Sequence, residues 1–377
     1  MESMMKIRRV VPVVAVLLFS RFSYAQSGVT LYGIVDEGLM YVTNEGGHQN
    51  LKMVSGTTQN DRWGLRIVED LGSGLSTVAT LENGFDITSG ALGQGGREFG
   101  RQAWVGLSDK QWGTFTAGRQ YDAMWDMLAI FSAAVNENTI AANIGDNDNV
   151  FGSFRYSNSV KYVSPTIAGI HGEALYAFSN EAGQFSVNRA VSAGASYANG
   201  PVSLGISYLD ISQPGLTNSS GAVTNDYAGA PFQLFHTSPL HPAVGVDTQR
   251  EFGIGGAYTL DKFRLSGLVT NVKYTYLDRT SLRLTNFELG ASYSIFPSLV
   301  LAGGYTYTTG RYGDGFSGSP KWNMVHASLD YFLSKRTDVS LFVIAQKSSG
   351  GPADVYLTTP SDSGRQAVVS ISIRHKF

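Results

Sequence analysis

In the stretch RWGLRIV, Trp63, Leu65 and Ile67 share one face of an alternating pattern, and Arg62 and Arg66 share the other. Lys161 stands between Val160 and Tyr162 in the same way. Arg101 opens another alternating stretch, and Arg119 closes one just before a long segment, residues 120–155. That segment carries Asp122, Asp126, Glu137, Asp146 and Asp148. Fixed cations facing fixed carboxylates across a water-filled gap sort dissolved solutes by size and sign, without making or breaking a bond. Strict alternation turns Arg119 outward unless its strand ends there. Asp146 and Asp148 rank last among the acids because they lie near the segment's exit.

Bond-making chemistry finds less support. GASYA and GASYS, at 194–198 and 290–294, lack the final glycine of a nucleophile elbow and sit inside strands rather than at a strand–helix turn. Only His236 and His241 lie close together among the histidines, in a loop without a third ligand, so no metal is expected. GDGFSGS lacks the Gly-Lys-Ser/Thr of a phosphate loop. No Ser/His/Asp set stands out, and no cofactor or catalytic residue is expected. There is no cysteine, which rules out disulfides and thiolate metal sites.

The elements that must position these charges are strands. PVSLGISYLD places Val202, Leu204, Ile206 and Tyr208 on one face and Ser203, Gly205 and Ser207 on the other. NFELGASYSI and SLVLAGGYTYT repeat the pattern, and the chain ends on it: in AVVSISIRHKF, Ala367, Val369, Ile371, Ile373 and Phe377 are in phase. About sixteen such segments run from Gly28 to the last residue, the second of them expected to start near Arg62. Short turns such as 69–74, 108–113 and 295–298 alternate with long loops, notably 120–155 and 211–249. A soluble sandwich also alternates, but here the apolar face continues around too many strands for one packed core. Lipid offers no hydrogen bonds, so a sheet crossing it must close on itself, and strict alternation of short and long connections fits such a barrel.

Residues 1–25 read as a cleaved signal peptide. Lys6, Arg8 and Arg9 precede an apolar run from Val10 to Phe19, and Ser23-Tyr24-Ala25 forms a small-x-small site. The run is half the ~20 residues of a spanning helix. Residues 26–377 then form the barrel. Only 15% of residues are charged, against a usual ~25%, while Gly numbers 44, Tyr 19 and Phe 20. Removing Lys6, Arg8, Arg9 and Arg21 with the leader makes the mature chain more acidic than the formal −2 of the whole, which argues against a nucleic-acid partner.

The stretches QSGVTLYGIVDEGLMYVTN, DRWGLRIVEDLGSGL, GRQAWVGLSDKQWGTFTAGRQYD, FRYSNSVKYVSPTIAGIHGEALYAFSN and the terminal RHKF together resemble the general porins of β-proteobacteria, of the Burkholderia and Neisseria type. The resemblance spans essentially the whole mature chain. It implies an all-β, 16-stranded antiparallel transmembrane barrel in the outer membrane, a homotrimer with its third external loop folded into the lumen. It implies a non-specific channel for passive diffusion of ions and small hydrophilic solutes, with Arg62 and Arg101 at positions the family uses at its constriction. Substrate-specific channels and, less so, barrel enzymes are the alternatives. It also implies contacts with outer-membrane lipid and lipopolysaccharide, and a terminal Phe377 read by the outer-membrane assembly machinery. Glu37 departs from the family's small apolar residue. It falls in the outward series of the first strand, and a subunit interface is the expected place for it.

Overall fold

The computed structural model describes residues 27–223, 226–229 and 233–377; the leader expected at 1–25 lies outside the described residues. Seventeen antiparallel segments form one closed sheet. The first eight are β1 (Gly28–Glu45), β2 (His48–Ser55), β3 (Arg62–Gly72), β4 (Leu75–Gly84), β5 (Gln102–Asp109), β6 (Gly113–Gln120), β7 (Tyr156–Val163) and β8 (Ile170–Ala177). Then come β9 (Arg189–Asn199), β10 (Val202–Ser212), β11 (Val246–Leu260), β12 (Phe263–Tyr276) and β13 (Ser281–Phe296). β14 (Leu299–Gly313), β15 (Lys321–Phe332), β16 (Thr337–Ser349) and β17 (Arg365–Lys376) complete the circuit.

β1 pairs with β2 over residues 37–45 and with β3 over residues 28–34, so β2 and β3 are two halves of one barrel strand and the barrel has sixteen. Starting that strand at Arg62 therefore missed its upper half, 48–55. The break between the halves tucks inward because Asp36 captures it. The Asp36 carboxylate accepts hydrogen bonds from the backbone of Thr58 (3.1 Å) and Gln59 (2.8 Å). Asp61 accepts one from the Asp36 backbone at 2.5 Å, and Gly56 makes the turn at φ +70°.

Closure explains why alternation persists to the end of the chain. β17 pairs with β1 from Ile34↔Lys376 to Val42↔Val368. Phe377 itself exchanges two backbone hydrogen bonds of 3.0 Å with Gly33. The barrel is inside-out relative to a soluble protein: Val369, Ile371 and Ile373 are 42%, 52% and 52% exposed, while Ser370 and Ser372 are buried. An apolar band of this kind is stable only against lipid or another protein.

The wall is uneven in height. β5, β6, β7 and β8 have 8 residues each, whereas β11–β14 have 14–16. Strands of that shorter length, rising ~3.4 Å per residue at a tilt of roughly 45°, span about 19 Å, less than the ~25 Å apolar band of an outer-membrane barrel. The taller wall exceeds it.

Candidate pore constriction

The long segment between β6 and β7 is aimed into the lumen by an irregularity at the strand end. The β6–β7 register shifts between Gly118 and Gln120, so Arg119 and Gln120 are both buried inside. Asp122 then caps the short helix Ala123–Leu128, its carboxylate accepting from the Trp125 backbone at 3.1 Å. Burial pushes that carboxyl up to about 6.

The loop is seated on the inner face of the opposite wall, where inward positions have no side chain to obstruct it. A Cβ on Gly253 would meet Leu128 and Met124, one on Gly255 would meet Phe131, and one on Gly205 would meet the Met127 carbonyl. Met124, Met127, Leu128 and Phe131 are accordingly buried. Polar anchors follow along the loop. Glu288 accepts from the Ser132 hydroxyl (3.1 Å) and the Ala133 backbone (3.2 Å). Glu137 pairs with His326 at 2.8 Å, and Tyr274 donates to the Asn147 carbonyl at 2.8 Å. Gly205→Ala meets backbone rather than a yielding side chain, so it should weaken the seat by ~1–3 kcal/mol. Greater open-channel current noise with unchanged barrel heat stability is the expected result, and quiet wild-type current in the variant would contradict the seat.

Facing the loop, β3, β4 and the approach to β5 assemble a cationic cluster. Glu82 is its only carboxylate among the described residues: it accepts from Arg101 Nε at 2.8 Å and Tyr32 at 2.9 Å, and Arg62 Nε lies 3.9 Å away. Arg101 also donates to the Tyr121 hydroxyl at 2.8 Å. Arg155 donates to the same oxygen and lies over the Tyr121 ring, 4.6 Å from its centroid. Tyr121 in turn stacks on Trp125 at 4.8 Å. Between this wall and the loop remains a cleft of about 30 Å³, lined by Thr58, Asn60, Arg62 and Arg101 on one side and Trp125, Val135 and Phe151 on the other. Glu82, Tyr121 and Arg155 were not singled out in the sequence. Glu82 lies on the inward phase of ATLENG, but nothing local marks it as the partner of Arg101.

The other charges fall in distinct places. Lys161 faces inward and pairs with Asp126 at 2.5 Å, closing one end of the loop's edge. Arg66 lies on the inward face below, 5.3 Å from the Tyr32 ring centroid. β6 ends one residue beyond Arg119, where its register to β7 shifts, and Arg119 is buried rather than outward, but it does not face the loop acids. It donates to Asp226 and to the Gly100 carbonyl (2.8 Å), and so helps latch the 211–249 loop. Asp122, Asp146 and Asp148 are buried, Asp148 against the barrel wall, instead of presented to the lumen. Asp146 accepts from Phe151 (2.9 Å) and Ser153, and Asp148 from Asn143 (2.8 Å), Asn286 and Thr270. Burial pushes both carboxyls up, and mutual repulsion adds to the rise at Asp146. An acidic loop wall is thus not what faces the arginines: of the five acids, Asp126 alone is exposed, and it is spent on Lys161.

Glu37 keeps its outward phase, because β1 pairs with β17 without a shift across that position. Its carboxylate accepts from the Thr88 hydroxyl at 3.1 Å, in the loop that leaves β4. His375 bonds to Thr337 instead. Among the described residues no group of His, Asp and Glu could hold a metal ion.

A family described as Gram-negative porin matches residues 13–351. An outer membrane porin protein of Bordetella pertussis is 29% identical, over 95% of this chain and 97% of its own length. An anion-selective porin from Comamonas acidovorans has the same fold at a TM-score of 0.75 and 22% identity, covering 93% of this chain and all of its own. The trimer form of OmpT from Vibrio cholerae follows at 0.67 and 14% identity, covering 93% of this chain and 99% of its own. The chain belongs to the Gram-negative porin family, and is an outer-membrane β-barrel channel for passive diffusion of ions and small hydrophilic solutes.

Proposed function

We propose that the channel favours anions. The observation that carries this reading is the charge balance at the cleft between wall and loop: Arg62 and Arg101 flank the carboxylate of Glu82, Arg155 joins them through the Tyr121 hydroxyl, and the facing loop presents Trp125, Val135 and Phe151 rather than acids. A preformed cationic cleft lowers the energy of a passing anion and raises that of a cation. The fold likeness to a porin named as anion-selective is consistent with this. Reversal potentials across bilayers in a salt gradient test it, with displacement toward the anion's equilibrium potential as the expected sign.

The assembly is a homotrimer joined through the low wall, where β5–β8 are too short to meet a full lipid band on their own. Glu37, on the flank of that wall, lies in or beside the subunit contact. Glu37→Ala should lower the heat stability of the trimer in detergent and leave single-channel conductance alone. A variant with altered conductance and intact trimer stability would place Glu37 elsewhere. Residues 1–25 serve as the export signal, and Phe377 as part of the address read by the assembly machinery.

A further inference from the structure

Below the cationic cluster, toward the short turns, the inner face of the low wall is hollowed. The recess measures about 520 Å³, within the ~300–1,000 Å³ of ordinary ligand sites. Four neighbouring segments build it. On β3 the inward residues are Arg62, Gly64, Arg66 and Val68, and the Tyr32 ring of β1 lies across the bare Gly64. A Cβ at that glycine would meet the Tyr32 hydroxyl at 2.8 Å. Strand pairing sets Val68 opposite Val78 of β4, Arg66 opposite Thr80, and Thr80 opposite Trp104 of β5. The Trp104 indole N–H donates to Gln102 at 2.9 Å, which fixes the ring on the inner face.

The recess combines a free cation with apolar surface. Arg66 is exposed to the lumen, with its guanidinium 5.3 Å from the Tyr32 ring centroid. Glu82, on the rim, turns its oxygens to Arg101 and Tyr32, so it does not neutralise Arg66. Inward positions of a water-filled barrel are ordinarily polar, yet here Val68 and Val78 line the recess, and Val68 is 37% exposed. Chloride has no use for two aromatic faces and two valines, whereas an apolar body does. Spacing narrows the choice. Arg66 and Trp104 stand two strand spacings apart, ~10 Å, with only the short Thr80 between them. Arg62 lines both this recess and the cleft at the loop, so an anion leaving the cleft meets Arg66 next.

We propose that this recess is a binding site for aromatic carboxylates, with the carboxylate on Arg66 and the ring against Trp104 and the valines. A guanidinium matches a carboxylate with two parallel hydrogen bonds, and the flat ring meets flat or branched apolar surface. The site rests on the anion preference proposed above and gives it a substrate class: chloride and acetate pass, while an aryl carboxylate dwells.

The test is the effect of potassium benzoate on the single-channel chloride current of the reconstituted protein, with benzoate on both sides at constant ionic strength. Bound benzoate neutralises Arg66 and takes up lumen space, so the wild type should show partial closures whose frequency rises with concentration. Acetate and neutral benzamide at the same concentrations should leave the current undisturbed. Arg66→Gln should weaken the benzoate effect by about tenfold, through loss of a charge-assisted bidentate contact. Trp104→Leu should weaken it by about fivefold, because an aliphatic chain replaces the flat ring. Trp104→Phe should restore most of the effect, which separates loss of the ring from loss of the fold. Equal effects of benzoate and acetate on the wild type would overturn the site, as would unaltered benzoate closures in Arg66→Gln. The reversal potential in potassium chloride is read separately. Reversal on the potassium side would overturn the anion preference, and benzoate closures in that same protein would still support the recess.

Discussion

Replacing Arg62 and Arg101 together with glutamine is expected to shift the reversal potential toward the cation by an amount equivalent to about a tenfold or greater fall in the anion-to-cation permeability ratio. At ~7 Å in water, one unit charge acts on another with about 0.6 kcal/mol, and each removed guanidinium both disfavours anions and relieves cations. Arg155 and Glu82 then remain as one charge of each sign in the cluster. The effect should fade at 1 M salt, where the screening length drops to ~3 Å. The single variant Arg62→Gln should give a smaller shift in the same direction. Arg62 donates only to the Asn60 carbonyl, at 3.0 Å, and stands at the edge of contact with Glu82, so its removal leaves the cluster's hydrogen bonds in place. An unmoved reversal potential in a folded trimer would remove these residues from the constriction.

Deleting residues 125–150 should raise single-channel conductance roughly twofold or more and admit larger solutes, because a loop seated across the lumen sets the narrow point. The barrel should survive. Its strands are joined to one another and closed through β1 and β17 without using the loop. Several wall positions uncovered by the deletion, among them Gly205, Gly253, Gly255, Glu288 and Asn286, tolerate water. The buried apolar cluster loses chiefly loop residues such as Met127, Leu128 and Phe131. Phe235 and Tyr227 continue to cover Tyr274 and Tyr276 near the extracellular mouth. Wild-type conductance in the deletion would place the loop outside the permeation path.

The barrel was legible because alternation is imposed at every lipid-facing position, and a phase repeated over about sixteen segments to Phe377 exceeds what one packed core holds. What alternation reports is the face of a residue, not its partners. It placed Arg62, Arg66 and Lys161 inward, where they are found. At Arg119 the exception for a strand end applies: β6 stops at Gln120, and its register to β7 shifts there. The short segment 48–55 escaped because its apolar outward set is only Leu51 and Met53 before Gly56 breaks the pattern. The loop acids escaped for a different reason. Whether a carboxylate faces solvent or is buried depends on contacts a strand-based reading does not contain: Asp122 and Asp146 are drawn into hydrogen bonds within the loop, and Asp148 also into bonds from Thr270 and Asn286 on the wall. Arg155 and Tyr121 flank the loop at its two ends, 34 residues apart, and only folding brings the guanidinium over the ring.

The most direct measurement is the current–voltage relation of the purified wild-type protein in a planar bilayer, with a tenfold potassium chloride gradient at low total salt. A passive, basic-lined pore predicts a linear open-channel current that reverses on the chloride side of zero. Reversal on the potassium side, or a current that saturates with salt as at a tight substrate site, would contradict it.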